Sequence, residues 1–183
     1  MRVKKFFAII VLLICVGAYY YGAKEKAVKQ EKTTEFDKII EMSKEANYFN
    51  DPDQLMIMNN RIISYLYGGK AEDDQIEQLV SIQRTLLDNE LLEINPFEAQ
   101  LSKIKGKLEE YKENNLKVIQ IKQQSAQYDG KNTNIAKVKV IQYMNGGNDH
   151  YLEYYLRKQP DETWRILGWE VIDEFEISEE LKI

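Results

Sequence analysis

Residues 135–144 read IAKVKVIQYM, and this stretch decides the fold. Ala136, Val138, Val140 and Met144 fall on one side and Lys137 and Lys139 on the other, a period of two that fits a half-buried strand. Turn residues bracket it. Asp129-Gly130 before it suits the positive φ values of a tight hairpin, and Asn145-Gly146-Gly147-Asn148 after it supplies the next reversal. Working outward, Val118 to Tyr128 is the preceding strand, edge-like in its Gln and Ser content. Tyr151 to Lys158 follows, with Leu152, Tyr154 and Leu156 opposite Glu153, Tyr155 and Arg157. Pro160-Asp161-Glu162-Thr163 turns the chain into a last strand, Trp164 to Ile177. Both faces of that strand are bulky: Trp164, Ile166 and Ile172 on one, Leu167, Trp169 and Val171 on the other. Gly168 in its middle implies a bulge or bend.

Upstream of residue 117 the period is helical. Thr34 to Tyr48 carries Phe36, Ile39, Ile40 and Met42 among charges. Asn50-Asp51-Pro52 then supplies a cap and a first-turn proline, whose missing N–H costs nothing there. The helix that follows has the stripe Leu55, Met58, Ile62 and Leu66, and Gly68-Gly69 ends it. Glu72, Asp73 and Asp74 open another, with the apolar face Ile76, Leu79, Val80, Leu86 and Leu87; these acids belong to the helix terminus rather than to a ligand set. Asn95-Pro96 begins a further helix striped by Phe97, Leu101, Ile104, Leu108 and Tyr111, while Gly106 falls off the stripe. That stripe covers too few heptads for a coiled coil and reads as core. The expectation is an α+β domain: three or four helices packed on a curved four-stranded antiparallel meander.

The chain opens differently. Arg2, Lys4 and Lys5 precede the apolar run Phe6–Ala23, FFAIIVLLICVGAYYYGA. At 1.5 Å per residue, roughly 18 residues give about 27 Å, enough for a short transmembrane helix. Basic residues before it favour a cytoplasmic N-terminus, Tyr19, Tyr20 and Tyr21 suit the outer interface, and Lys24, Lys26, Lys29 and Lys32 oppose that bias. Two rival readings also end in export: cleavage after Val16-Gly17-Ala18, or lipidation at Cys15, where Ile14 occupies the place of a small residue. The expected organisation is an anchor over residues 1–23, a charged linker or stalk over 24–34, and an extracytoplasmic domain over 35–183. The localisation that follows is the cell membrane, single-pass.

Composition excludes some functions. The 183 residues carry a net charge of −5, and without the three leading basic residues the balance is 22 Lys+Arg against 30 Asp+Glu, or −8. Such a body repels nucleic acid. Cys15 is the sole cysteine, so the domain has no disulfide, thiolate metal site or cysteine nucleophile.

Leu91-Leu92 with Asn95-Pro96, Leu108-Glu109-Glu110-Tyr111-Lys112, and the ending Trp164-Arg165-Ile166-Leu167-Gly168-Trp169 carry a resemblance. Three helices followed by a long meander, ending in Leu156-Arg157-Lys158 and Trp164 to Trp169, resemble the nuclear-transport-factor-2-like (cystatin-like α+β) superfamily. From Pro52 to Ile172 the chain is similar to an uncharacterised family of membrane-anchored clostridial proteins, which has no assigned activity to carry over. The resemblance implies a cone-shaped domain in which a cavity can form.

No constellation specifies catalysis. His150 is the one histidine; Asp149 beside it would point to the other face of a strand, leaving a solvated, turn-flanking His. The acidic run Glu170, Asp173, Glu174, Glu176, Glu179 and Glu180 lacks the alternating ligands and turn glycine of a calcium loop and reads as a solvated tail. Tyr143, Tyr154, Tyr155, Trp164 and Trp169 are the candidates for a ligand pocket or a protein interface, with cross-strand packing as the plain alternative. The expectation is a non-enzymatic, membrane-anchored envelope protein without cofactor or metal, displaying a domain for protein interaction or self-association. The alternative is a small-ligand-binding or cryptic enzymatic domain, which predicts an enclosed pocket lined by tyrosines with at least one buried, inward-pointing carboxylate or His150.

Overall fold

A computed structural model describes residues 34–45, 47–130 and 132–177. The expected anchor Phe6–Ala23 and nearly all of the expected stalk lie outside them. Among the described residues no helix is long and apolar enough to cross a membrane. The chain divides into compact units at Met1–Lys38 and Ile39–Ile183. The described end of the first is the start of helix α1 (Glu35–Glu45). Thr34 and Asp37 cap it reciprocally: Asp37 N donates to Thr34 Oγ1 at 3.1 Å, and Thr34 N donates to the Asp37 carboxylate at 2.9 Å. Those hydrogen bonds hold the Asp37 carboxyl below the ordinary carboxylate range.

The second unit is α+β. A short 3₁₀ turn, Asn47–Asn50, leads into α2 (Pro52–Tyr67), followed by α3 (Asp73–Thr85), α4 (Asn89–Glu93) and α5 (Phe97–Glu113). The strands are β1 (Val118–Gln123), β2 (Gln127–Asp129), β3 (Asn132–Met144), β4 (His150–Lys158) and β5 (Trp164–Val171). They form one antiparallel sheet in the order β1-β3-β4-β5, with β2 also paired to β3. The proposed cap at Asp51 is present: its Oδ1 accepts from Asp53 N and Gln54 N at 2.8 and 3.0 Å, with Pro52 at the first helical position. Gly69, at φ +72°, is the left-handed residue after α2, and Gly130, at φ +57°, turns the β2–β3 hairpin.

The core lies between α2 and the inner face of the sheet. Leu55, Met58, Ile62 and Leu66 of α2 are buried, as are Ala136, Val138 and Val140 of β3 and Leu156 of β4. A polar tie crosses this core. Asn60 and Gln123 are fully buried, Asn60 Nδ2 donates to Gln123 Oε1 at 2.7 Å, and Gln123 Nε2 donates to Asp53 O at 3.3 Å. It fixes α2 against the edge strand β1, since a buried amide left without a partner costs more than the bond returns.

Four expectations from sequence are corrected. The strand expected over Val118–Tyr128 is two strands: Gln124 N still donates to Lys139 O of β3 at 2.9 Å, but Ser125 and Ala126 leave the ladder, and Asp53 Oδ1 accepts from Ala126 N at 2.7 Å. Leu86 and Leu87 are buried but lie beyond α3: Ile166 N donates to Leu86 O and Asp88 N to Ile166 O, both at 2.8 Å, so this link pairs with β5 in parallel. Asn95-Pro96 starts α5 with Pro96 itself as N-cap, following a short α4 that the sequence pattern missed.

The fourth correction concerns the last strand. β5 ends at Val171, and its register slips by one residue between Tyr155 and Leu156 of β4. Leu156 pairs with Ile166 and Tyr155 with Gly168, so Leu167 is the extra residue of a bulge, as Gly168 had suggested. Beyond it the parity of faces reverses. Trp169, paired with Tyr154, joins Trp164 and Ile166 on the inner side, and Glu170, paired with Glu153, goes to the outer side. Residues 172–177 then cross the outer face instead of extending the strand. Ile172 N donates to Tyr151 O at 3.0 Å, the Phe175 ring meets Tyr151 at 5.7 Å, Lys139 Nζ lies 5.4 Å over Phe175, and Gln124 Nε2 donates to Glu176 O at 3.2 Å. Beneath this strap the outer-face residue Ile141 is only 2% exposed.

Candidate functional site

The helices and the sheet enclose a cleft of about 450 Å³. One wall is α2, whose Asn59, Ile63 and Tyr67 recur every four residues and so share a face. The opposite wall is α5, which presents Gln100, Lys103, Ile104, Lys107 and Tyr111 by the same periodicity. Gln83 of α3 and Leu87 of the link close one side, and the floor and rim come from Gln142, His150, Leu152, Tyr154, Ile166 and Trp169 of the sheet.

The floor is polar at chosen points. Tyr154 is buried, and burial raises its hydroxyl pKa although the neighbouring Asn59 amide pulls it down. Burial, with the Tyr111 hydroxyl beside it, pushes Tyr67 up to about 12. Both phenols are thus neutral hydrogen-bonding groups at physiological pH. Gln83 Nε2 donates to Asn59 Oδ1 at 3.2 Å. The Asn59 side chain is 1% exposed and lies against the Tyr154 hydroxyl, whose pKa its amide lowers. On the α5 side, Arg84 Nη1 donates to both Asn95 O and Gln100 Oε1 at 2.7 Å, anchoring the Gln100 amide.

The five aromatic candidates separate. Tyr154 and Trp169 come together in the cleft, ring centroids 5.8 Å apart and 30° from parallel, with Trp169 half-exposed at the mouth. Trp164 is on the same face but buried at the far end, 6.0 Å from Tyr128. The hollow of about 510 Å³ there has its charges already engaged, Asp51 by helix capping and Lys158 by Glu162. Tyr143 lies on the outer face beneath the Lys122 ammonium, 5.8 Å from the ring centroid. Tyr155 is also outside: its hydroxyl lies within hydrogen-bond reach of Glu170 and, at 2.8 Å, of Glu153, and the two carboxylates raise its pKa. Neither outer tyrosine lines the cleft.

His150 is exposed, in keeping with its turn-flanking position, and its ring lines the rim. Asp149 does not pair with it; its Oδ1 accepts from Met144 N at 2.8 Å and closes the turn. Among the described residues no group of three or more His, Cys, Asp or Glu side chains is arranged to hold a metal ion.

The sequence reading missed Asn59, Gln142, Tyr67 and Lys103. Two of these left a trace. Asn59-Asn60 interrupts the apolar run of α2 with residues that disfavour helix interiors, and Gln142 sits between Val140 and Met144 on the buried face of β3.

A family model described as Domain of unknown function (DUF6715) matches residues 1–169, taking in every described helix and strand up to Trp169. No curated protein matches the chain at a significant level. With nine-tenths of its length matched, through the last inward residue of the cleft, the chain belongs to the DUF6715 family.

Proposed function

We propose that this protein is a non-catalytic, membrane-tethered binding protein of the cell envelope. Phe6–Ala23 holds it as a single-pass anchor with the N-terminus inside, and the α+β domain outside offers its cleft to a small ligand. Helices laid over a meander with a cleft between them fit the nuclear-transport-factor-2-like arrangement. The observation that carries the reading is the cleft itself: concave, largely apolar, within the ~300–1,000 Å³ range of small-molecule sites, with amides and phenols converging at its floor. Its lining offers hydrogen bonds and stacking but, among the described residues, no carboxylate beside the His150 imidazole to form an acid–base pair.

The test uses the full-length chain in nanodiscs of zwitterionic lipid, with empty discs subtracted. N-phenyl-1-naphthylamine should show saturable emission sensitised by Trp169, lost in Trp169→Phe, and binding should disappear when Ile63→Trp or Gln83→Trp fills the cleft. Absence of saturable binding by any apolar or amphiphilic naphthyl probe would overturn the reading. Protease accessibility on intact cells tests the orientation, and a protected domain would refute it.

A second reading, display for protein contact or self-association, is favoured by the exposed Ile119 and Val171, 59% and 79% exposed on the outermost strands β1 and β5. Light scattering of the same nanodisc preparation distinguishes a monomer from an assembly.

A further inference from the structure

Resting on the reading of the cleft as a ligand site, we infer that its ligand is an organic anion. The apolar, partly aromatic body lies inside and the anionic group at the rim beside Lys103.

The cleft inverts the charge of the chain around it. The body of the chain carries −8, yet both charged side chains lining the cleft, Lys103 and Lys107, are positive. They stand four residues apart on α5 and point the same way, a like-charge pair that costs an isolated helix about 0.2–0.5 kcal/mol. Only one of the two is neutralised. Lys107 Nζ binds both carboxylate oxygens of Glu110 at 2.9 Å and lies 5.2 Å over the Tyr111 ring. Lys103 forms no ion pair among the described residues, and its neighbours one turn away, Ala99, Gln100, Gly106 and Lys107, include no acid. Across the mouth stands the exposed His150 imidazole. An anion at the rim would relieve the lysine repulsion and meet a hydrogen-bond donor from either wall.

The interior specifies the rest. Ile63, Leu87, Ile104 and Ile166 favour an apolar body, and the half-exposed Trp169 face beside Tyr154 favours a flat one. A cationic ligand would meet two lysines at the entrance.

The experiment compares two probes with one body. 8-Anilinonaphthalene-1-sulfonate carries an anionic group that N-phenyl-1-naphthylamine lacks. With the full-length chain in zwitterionic nanodiscs, the sulfonate should bind about tenfold more tightly, a preference that falls with added salt. Lys103→Gln should weaken the sulfonate about fivefold and leave the neutral probe unchanged, as loss of a rim charge does. Lys103 is exposed, so this variant keeps the fold, and circular dichroism checks it. If neither probe saturates, the cleft is not a ligand site and the proposed function falls. If both bind equally, or Lys103→Gln affects both alike, the cleft stands and the anion inference is overturned.

Discussion

Replacing Asp88 with alanine should destabilise the domain by about 3 kcal/mol. Its carboxylate, 1% exposed, receives Arg157 Nε at 3.0 Å and Nη2 at 2.5 Å, Gln159 Nε2 at 2.8 Å and Glu90 N at 3.0 Å. The last is the N-cap bond of α4, about 1 kcal/mol when lost. Breaking a buried ion pair costs ~3–5 kcal/mol, but Arg157 is one-third exposed and keeps Glu90 at 2.9 Å, so the lower half of that range or less applies. Together they give ~3 kcal/mol, or a fall in Tm of about 6–12 °C for a domain of this size. Asp88→Asn, which keeps the cap and removes the charge, should cost about half as much. The pH dependence has a fixed sign. Burial pushes the Asp88 carboxyl up, and the bonds from Arg157, Glu90 N and Gln159 outweigh that, so its pKa lies below the ordinary value. The contribution is therefore complete above the unfolded carboxylate pKa near ~4 and is lost as pH falls through the lower folded one. Urea unfolding of the nanodisc-held chain, followed by far-ultraviolet circular dichroism at pH 7 and pH 3, measures both. A loss under 1 kcal/mol for Asp88→Ala at pH 7, or a gap between Asp88→Asn and the parent that widens in acid, would refute the reasoning.

Gly106→Ala should stabilise by about 0.5–1 kcal/mol, because a Cβ there meets nothing within 4 Å and alanine is the better helix former; an unchanged or lowered urea midpoint would count against it. Gly68→Ala should do the opposite and abolish two-state unfolding or cost several kcal/mol, since its Cβ would stand 2.3 Å from Ser64 O, a backbone atom that cannot swing away; thermal melts decide. Gln123→Leu should cost about 2–3 kcal/mol by leaving the buried Asn60 amide without its acceptor, and Asn60→Leu combined with it should recover part of the loss in a double-mutant cycle. Phe175→Ala should release the strap from the outer face, raising hydrogen exchange at 172–177 by about tenfold or more while β3 and β4 stay protected.

What sequence revealed was what depends on neighbours along the chain. Asp51-Pro52 caps α2 and Asp129-Gly130 turns the hairpin because φ preferences and capping bonds are decided within a few residues. The alternation of Ala136, Val138 and Val140 identified the buried face of β3 because a strand's period is intrinsic. The errors arose where a distant partner decides. Leu86 and Leu87 continue the helical stripe of α3 on paper, but the helix ends at Thr85 and hydrogen bonds with Ile166 pair the link to β5. Tyr154 and Tyr155 are equivalent aromatics in sequence, and only the sheet's covered side distinguishes the one in the cleft from the one between two glutamates. Asn59 looks like a poor helix residue until Gln83 and Tyr154 are brought against it.

The extra residue in β5 acts as a frame-shift written into three dimensions. Because side chains alternate, every position after Leu167 has its address reversed, and two residues exchange destinations: Trp169 is delivered to the cleft and Glu170 to the outside. Were Leu167 instead to take a place in the ladder opposite Tyr155, Trp169 would fall opposite Glu153 on the outer side and Glu170 opposite Leu152 on the inner side. That slip of one residue would replace the aromatic mouth of the cleft with a carboxylate and reverse its preference for charge, with no residue altered. The polarity of this site is set by register as much as by chemistry.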